Sequence, residues 1–345
     1  MKAAAHRAFE VRDASQPGEV RRAAVRLARE VGFDDVAAGR VALAATELGS
    51  NLVKHAQQGV LLVAAVQADD GSPMVELISL DKGPGIADMD ACLADGFSTG
   101  GTGGSGLGAV RRLSAEFDIF SQAPGGTVIL ARIAAAPAAG GVARITPATP
   151  PAFVIGAIAL CAPGETACGD AWSAFQSDGQ AAIMVADGLG HGPHAAEASQ
   201  AATAVFSTDP LASPSQIIGR AHLGLKATRG AAVALARIDL EQESILFSGA
   251  GNVTGRIISG VEDRTLVSQN GTVGLQIRTL QNVRHAWNAH ALLVMHSDGI
   301  AARWSLKDAP ELLQHHPVVV AGWLMRDHGR GRDDATVVAV RRRQL

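Results

Sequence analysis

Between Ile133 and Pro151 the chain reads IAAAPAAGGVARITPATPP, rich in Ala, Gly, Pro and Thr. It carries neither an alternating nor a helical apolar period, so it has no face to bury, and its prolines and glycines interrupt regular structure. This run is predicted to be a linker. It divides the 345 residues into two stretches, each long enough to close its own core. The expected organisation is one domain over 1–133, a linker over 134–151 and a second domain over 152–345.

The two stretches differ in pattern. In the first, an amphipathic helix near Gly18–Val31 precedes a longer one near Val36–Ala56. Strands follow at Val60–Gln67 and Met74–Leu80, joined by the turn-forming Asp69-Asp70-Gly71. A Gly-rich run then opens a helix near Leu107–Ser114. A hairpin, Glu116–Ser121 with Thr127–Ile133, turns around Pro124-Gly125-Gly126. This predicts an α+β arrangement with helices on one face of a mixed sheet. After the linker, short β-rich runs recur at Phe153–Cys161, Trp172–Gln176, Ala181–Ala186, Ala231–Asp239, Ser244–Ser248, Ala291–His296 and Thr336–Arg341. Helices are expected at His194–Phe206, Pro214–Lys226 and Pro317–His328.

Charge and composition remove some functions. A net charge of −3, with neither half basic, does not suit a polyanion. With 4% aromatic residues and no Tyr, stacking on nucleobases has little to work with. No nucleic-acid partner is expected. No window supplies the ~20 apolar residues of a membrane span, and MKAAAHRAFEVRD lacks the apolar core of a signal peptide. A cytoplasmic protein without a membrane partner is expected. Cys92, Cys161 and Cys168 match no metal-binding spacing and read as ordinary packing in a reducing compartment.

Three features of the first stretch carry chemistry. Glu47, Asn51 and His55 recur at i, i+4, i+8 along one edge of the second helix, a stripe beside the apolar one of Val41, Ala44, Leu48 and Leu52. By itself that is a solvated helix face. Downstream, Asp81-Lys82-Gly83-Pro84-Gly85 follows a strand. There an Asp can accept a hydrogen bond from an adenine amino group while the glycines let backbone approach the base. Finally STGGTGGSGLG, Ser98 to Gly108, runs into a helix, and backbone N–H groups at such a point form an anion site.

In order and spacing these pieces resemble the GHKL ATP-binding superfamily of gyrases, chaperones and histidine kinases. Within it they are most similar to the bacterial anti-sigma and switch-protein serine kinases of the stressosome pathway, over about residues 8–133. The resemblance implies a GHKL (Bergerat) α/β sandwich that binds ATP with Mg²⁺. It implies Glu47 as general base, Asn51 as the Mg²⁺ ligand and Asp81 as the adenine reader. Gly83, Gly85, Thr99, Gly104, Gly106, Leu107, Gly108 and Thr127 would complete the ATP site. One departure stands out: where those kinases usually carry Pro-Gly after the second glycine box, this chain has Gly108-Ala109.

In the second stretch, acidic residues sit at strand ends. Asp170 lies in ACGDAW, Asp187 in VADGLGHG, Asp298 in MHSDGI, and Asp333 with Asp334 in RDDATVV. Each alone is a common turn. Together they supply the oxygen-only donors that hard divalent cations prefer. His191 and His194, three residues apart, form a weaker zinc-like option, with His191 alternatively facing a phosphate. The set, with FSGAGNV (Phe247–Val253) and NGTVG (Asn270–Gly274), resembles the PPM-type serine/threonine phosphatases over about 152–343. The likeness is to the branch of the sporulation stage-II-E and stressosome feedback phosphatases.

That resemblance implies an αββα sandwich holding two Mn²⁺ or Mg²⁺ ions. Asp187 would bridge the metals, and the Gly188 carbonyl would bind one of them. Asp298 and Asp333 would hold the second, and Asp170 would act on the first through water. Together the two likenesses imply a kinase and a phosphatase acting on Ser/Thr of a STAS-domain antagonist protein, among regulators of sigma factors. An alternative makes the N-terminal half a non-catalytic ATP-binding module that sequesters a STAS protein or sigma factor.

Overall fold

A computed structural model of the chain describes residues 5–93, 106–135, 150–177, 179–260 and 262–344. The chain forms two compact units, one over His6–Pro150 and the other built on Pro151–Leu345.

The first unit contains β1 (Arg7–Val11), α1 (Gln16–Glu30), α2 (Asp35–His55), β2 (Gly59–Gln67), β3 (Pro73–Asp81), α3 (Met89–Leu93), α4 (Gly106–Leu113), β4 (Glu116–Gln122) and β5 (Gly126–Ala134). Helix α2 starts where Asp34 accepts a hydrogen bond from Ala37 N at 2.7 Å. Such a cap satisfies an otherwise orphan donor and contributes about 1 kcal/mol. Its stripe of Val41, Ala44, Ala45, Leu48 and Leu52 is buried with Val20, Ala24 and Ala28 of α1. These helices cover one face of the sheet, where alternate residues Leu61 and Val63, Val75 and Leu77, and Ile129, Ala131 and Ile133 point.

The strand order is β1-β2-β3-β5-β4. Every pairing is antiparallel, so the expectation of a mixed sheet is corrected. The reason lies in the connections: β2–β3 and β4–β5 are hairpins, and the α1–α2 excursion returns the chain antiparallel to β1. Ile133 and Ala134 of the expected linker region complete β5, and 136–149 lie outside the described residues.

The second unit contains β6 (Phe153–Leu160), β7 (Asp170–Ser177), β8 (Gln180–Gly188), α5 (Pro193–Thr208), α6 (Pro214–Gly224), β9 (Ala231–Asp239), β10 (Ser244–Ala250), β11 (Thr254–Ile258) and β12 (Asp263–Leu266). After these come β13 (Gly271–Thr272), β14 (Gln276–Ile277), β15 (Val283–Ala286), β16 (Leu292–His296), α7 (Pro317–His328) and β17 (Ala335–Arg342). Two five-stranded antiparallel sheets form, β15-β10-β9-β8-β7 and β12-β11-β16-β17-β6.

Strand β8 shows why its run reads apolar throughout. Ala181, Ile183 and Val185 enter a core shared with Leu293, Met295, Val338 and Val340 of the other sheet. Ala182, Met184 and Ala186 face Ala198, Ala202 and Phe206 of α5 and Ile217 and Ile218 of α6. On the opposite side α7 packs on β6 and β17. A side chain at Gly156 would stand 2.2 Å from Val318 N, so helix and strand meet there because the residue is glycine. The result is an αββα sandwich. Among the described residues no helix is long and apolar enough to cross a membrane.

Candidate functional site

In the first unit, Glu47 and Asn51 stand one turn apart on α2, both half-buried. Gly106, the first residue of α4, lies in front of them. A Cβ there would be 3.6 Å from Glu47 Oε2 and 3.8 Å from Asn51 Oδ1. Leu107 and Gly108 are buried in the first turn of α4. Asp81 ends β3 directly opposite Thr127 of β5, and its Oδ1 accepts from Gly83 N at 2.7 Å.

Two glycines permit this closure. Gly85 has φ +79° and leaves no room for a Cβ, which would stand 2.0 Å from Gln122 O. A Cβ added to Gly126, at φ +82°, would stand 2.0 Å from Asp81 O. Ser121 Oγ, which the sequence reading did not single out, ties the two loops together. It accepts from Ile86 N at 2.8 Å and lies 3.0 Å from Thr127 Oγ1. Glu47, Asn51 and Gly106 thus form one group, and Asp81, Gly83, Gly85 and Thr127 another. His55 links them: its carbonyl lies where a Gly83 Cβ would be, at 2.5 Å. Thr99 and Gly104 lie outside the described residues.

In the second unit, both sheets deliver carboxylates to one edge. Asp170 opens β7 directly opposite Asp187, near the end of β8. Asp298 follows β16, and Asp333 and Asp334 precede its neighbour β17. Gly188 is packed so tightly on α5 that a Cβ would lie 2.1 Å from Ala195 O. This aims the Asp187–Gly188 backbone past the helix.

Ser297 organises the centre. Its Oγ donates to Asp170 Oδ2 at 2.6 Å and accepts from Thr336 N at 2.9 Å. Asn252 Nδ2 donates to Asp298 Oδ2 at 2.7 Å. Burial pushes the Asp187 carboxyl up to about 8, and Asp170, Asp298, Asp333 and Asp334 push the same way. Burial also raises Asp170, to about 7, against the Ser297 hydrogen bond and with the help of Asp334 and Asp298. Asp187 Oδ2 and Asp334 Oδ2 are buried without a hydrogen-bond partner. Mutually repelling carboxylates with the orphaned Asp187 Oδ2 among them are what a hard divalent cation neutralises, so the donor set fits Mg²⁺ or Mn²⁺.

His191 and His194 are exposed and pair elsewhere. His191 Nδ1 lies 2.7 Å from Glu165 Oε1, and His194 Nδ1 lies 3.9 Å from Glu197 Oε2. Ser297 and Asn252 were not singled out from the sequence, although both lie in motifs that were, MHSDGI and FSGAGNV. Arg229 was also missed: its guanidinium lies 3.4 Å from where a Gly190 Cβ would be, beside the Asp187 loop. The cysteines also group in space in a way their spacing does not show. Cys161, Cys168 and Asp334 offer ligand atoms within 4.8 Å of one another. Sequence spacing missed this because β6 and β17 pair across nearly the whole unit.

The two folds and their clusters define a nucleotide-binding kinase-like module joined to a PP2C-type phosphatase module. Through residues 10–133 the chain belongs to the histidine kinase-like ATPase domain family, and its residues 177–343 match the family model of stage II sporulation protein E. It is 41% identical over 105 residues to the serine/threonine-protein kinase RsbT of Bacillus subtilis (strain 168), covering 30% of this chain and 78% of RsbT. It is 32% identical over 90 residues to the phosphoserine phosphatase RsbX of the same organism, covering 26% of this chain and 45% of RsbX.

Solved structures agree. One, described under the bacterial stressosome as a modular system adapted to control secondary messenger signalling, shares 29% identity with a TM-score of 0.51, over 55% of this chain and 99% of that chain. RsbX in complex with magnesium shares the fold at 21% identity and a TM-score of 0.51, over 55% of this chain and 96% of that chain.

Proposed function

We propose that this chain is a cytoplasmic, bifunctional regulator of a single phosphorylation switch. Its N-terminal unit phosphorylates Ser/Thr of a STAS-domain protein with ATP and Mg²⁺, and its C-terminal unit removes the phosphate. The observation that carries the reading is the carboxylate edge, where Asp187 meets Asp170, Asp298, Asp333 and Asp334 with a buried oxygen left unpaired.

In this reading Asp187 and the Gly188 carbonyl would hold Mn²⁺ or Mg²⁺. Asp298 and Asp333 would complete the metal donors, and Asp170, fixed by Ser297, would hold water beside them. Bound there, such ions supply Lewis-acid stabilisation of phosphoryl oxygens and lower the pKa of water. On the kinase side, Asn51 holds Mg²⁺ and Asp81 receives the adenine amino group. Glu47 orients the substrate hydroxyl, and the amides around Gly106 stabilise transferring phosphate.

Purified chain incubated with a STAS-domain protein, ATP and Mn²⁺ tests this by phosphate-affinity gel. Glu47→Ala is expected to abolish phosphorylation while binding persists, and Asp187→Asn to let phosphorylated partner accumulate. No phosphate turnover on any STAS partner would sink the proposal. A second reading rests on Gly108-Ala109, which replaces the Pro-Gly of the switch kinases. In it the N-terminal unit binds ATP only to sequester a STAS protein or sigma factor. Binding by the parent chain with no phosphorylation selects that reading.

A further inference from the structure

Beside the carboxylate edge lies a second, chemically different group. Cys161 follows β6 and Cys168 stands two residues before Asp170. The 161–169 segment brings both Sγ atoms and a carboxylate oxygen of Asp334 within 4.8 Å of one another. Asp334 is 3% exposed. Its Oδ1 accepts from Ala162 N at 2.9 Å, next to one cysteine. Its Oδ2 faces Gly169, next to the other, where a Cβ would stand 2.5 Å away. That Oδ2 has no hydrogen-bond partner.

Two donor sets therefore adjoin. The Asp187 set is all oxygen and suits hard cations. The Asp334 set adds two sulfurs, and thiolates select Zn²⁺ over Mg²⁺ and Mn²⁺. A Cys161–Cys168 disulfide would leave the buried Asp334 oxygen as unsatisfied as before, whereas a cation satisfies all three groups. We propose that Cys161 Sγ, Cys168 Sγ and Asp334 Oδ2 bind one Zn²⁺, with water as the fourth ligand. Binding releases two thiol protons to solvent, so the three anionic ligands and the ion carry one net negative charge. The ion joins the exit of β6, the entry to β7 and the entry to β17 at one point. It thereby holds in place the loops that present Asp170 and Asp333. This zinc site does not depend on the kinase–phosphatase reading.

The test uses the full chain, reduced, stripped of metal and titrated with Co²⁺. A thiolate-to-cobalt charge-transfer band in the near ultraviolet is expected, displaced by Zn²⁺. It is retained in Asp187→Asn and lost in the Cys161→Ser/Cys168→Ser double variant. If the double variant fails to fold, the parent chain still decides the matter. Zn²⁺ is expected to slow iodoacetamide modification of Cys161 and Cys168 by about tenfold or more, read by peptide mass spectrometry, and to leave Cys92 unchanged. Absence of both the sulfur band and the protection overturns the proposal. So does a Cys161–Cys168 disulfide that forms in the presence of excess zinc.

Discussion

Replacing Asp187 with asparagine is expected to reduce a pH dependence of stability that the metal-free protein otherwise shows. Burial and four neighbouring carboxylates raise the Asp187 carboxyl to about 8, against an ordinary value of 3.8. Between these values the folded chain holds a proton that the unfolded chain has released. Stability is therefore fully present below the unfolded value and is lost as pH rises through the folded one. Each pH decade in that window is worth about 1.4 kcal/mol, so pH 5 to 7 takes roughly 3 kcal/mol through Asp187. Partial solvent contact reduces this to about 2 kcal/mol. At 2–4 °C per kcal/mol for a unit of this size, melting should fall by about 4–8 °C.

The readout is built into the chain. Its four tryptophans, Trp172, Trp287, Trp304 and Trp323, all lie in the C-terminal half, so indole fluorescence reports that unit. In chelator, Asp187→Asn is expected to melt with a flatter pH profile than the parent. Saturating Mn²⁺ is expected to stabilise the parent more at pH 8 than at pH 5, and the variant little at either. Equal slopes for variant and parent would refute the reasoning, because another group would then be titrating.

Three further outcomes follow from single contacts. Gly85→Ala places a Cβ 2.0 Å from Gln122 O at φ +79°. It is expected to weaken ATP binding by about tenfold or more without unfolding the unit, as measured with a fluorescent ATP analogue and circular dichroism. Ser297→Ala removes the donor to Asp170 and the acceptor for Thr336 N. A destabilisation of about 1–3 kcal/mol in the tryptophan transition is expected, with a lower phosphatase kcat and little change in KM. Glu76 is buried between His6 at 2.8 Å and Arg132 at 2.7 Å. Burial alone raises its carboxyl, but Arg132 and His6 overcome this and hold it at about 2. Glu76→Gln should destabilise the first unit by about 3–5 kcal/mol in urea. The parent should lose that contribution as pH falls from 4.5 toward 2.

What could be read in advance follows a physical division. Glycine boxes and Asp-Gly strand ends are local requirements. Gly85 and Gly126 need positive φ, and Gly188 needs the missing Cβ, so each had to appear in the chain as glycine. Buried strands such as β8 were equally plain, since both faces are covered and the run is apolar throughout. Strands β12 and β15 were missed because they are short and mostly exposed, DRTL and VRHA carrying one buried residue, Leu266, between them. The antiparallel sense of the first sheet was missed because no local residue encodes the direction in which two intervening helices return the chain.

The cysteines show the limit most sharply. Their metal-like grouping needs Asp334, and Asp334 reaches them only because β17 pairs with β6 along its whole length, from Ala335–Leu160 to Arg342–Phe153. That pairing places the residue before β17 beside the residues after β6, whatever separates them in sequence. The same register supplies the argument for two kinds of cation at one edge. Asp333 and Asp334 are chain neighbours in the bend just before β17, where Asp334 N donates to Asp333 Oδ1 at 2.9 Å. Both carboxylates raise Asp187, and Asp334 alone also reaches Ala162 N and the thiols. If zinc content and manganese-dependent stability respond independently to Cys168→Ser and Asp187→Asn, the doubled aspartate is the divider between two metal chemistries.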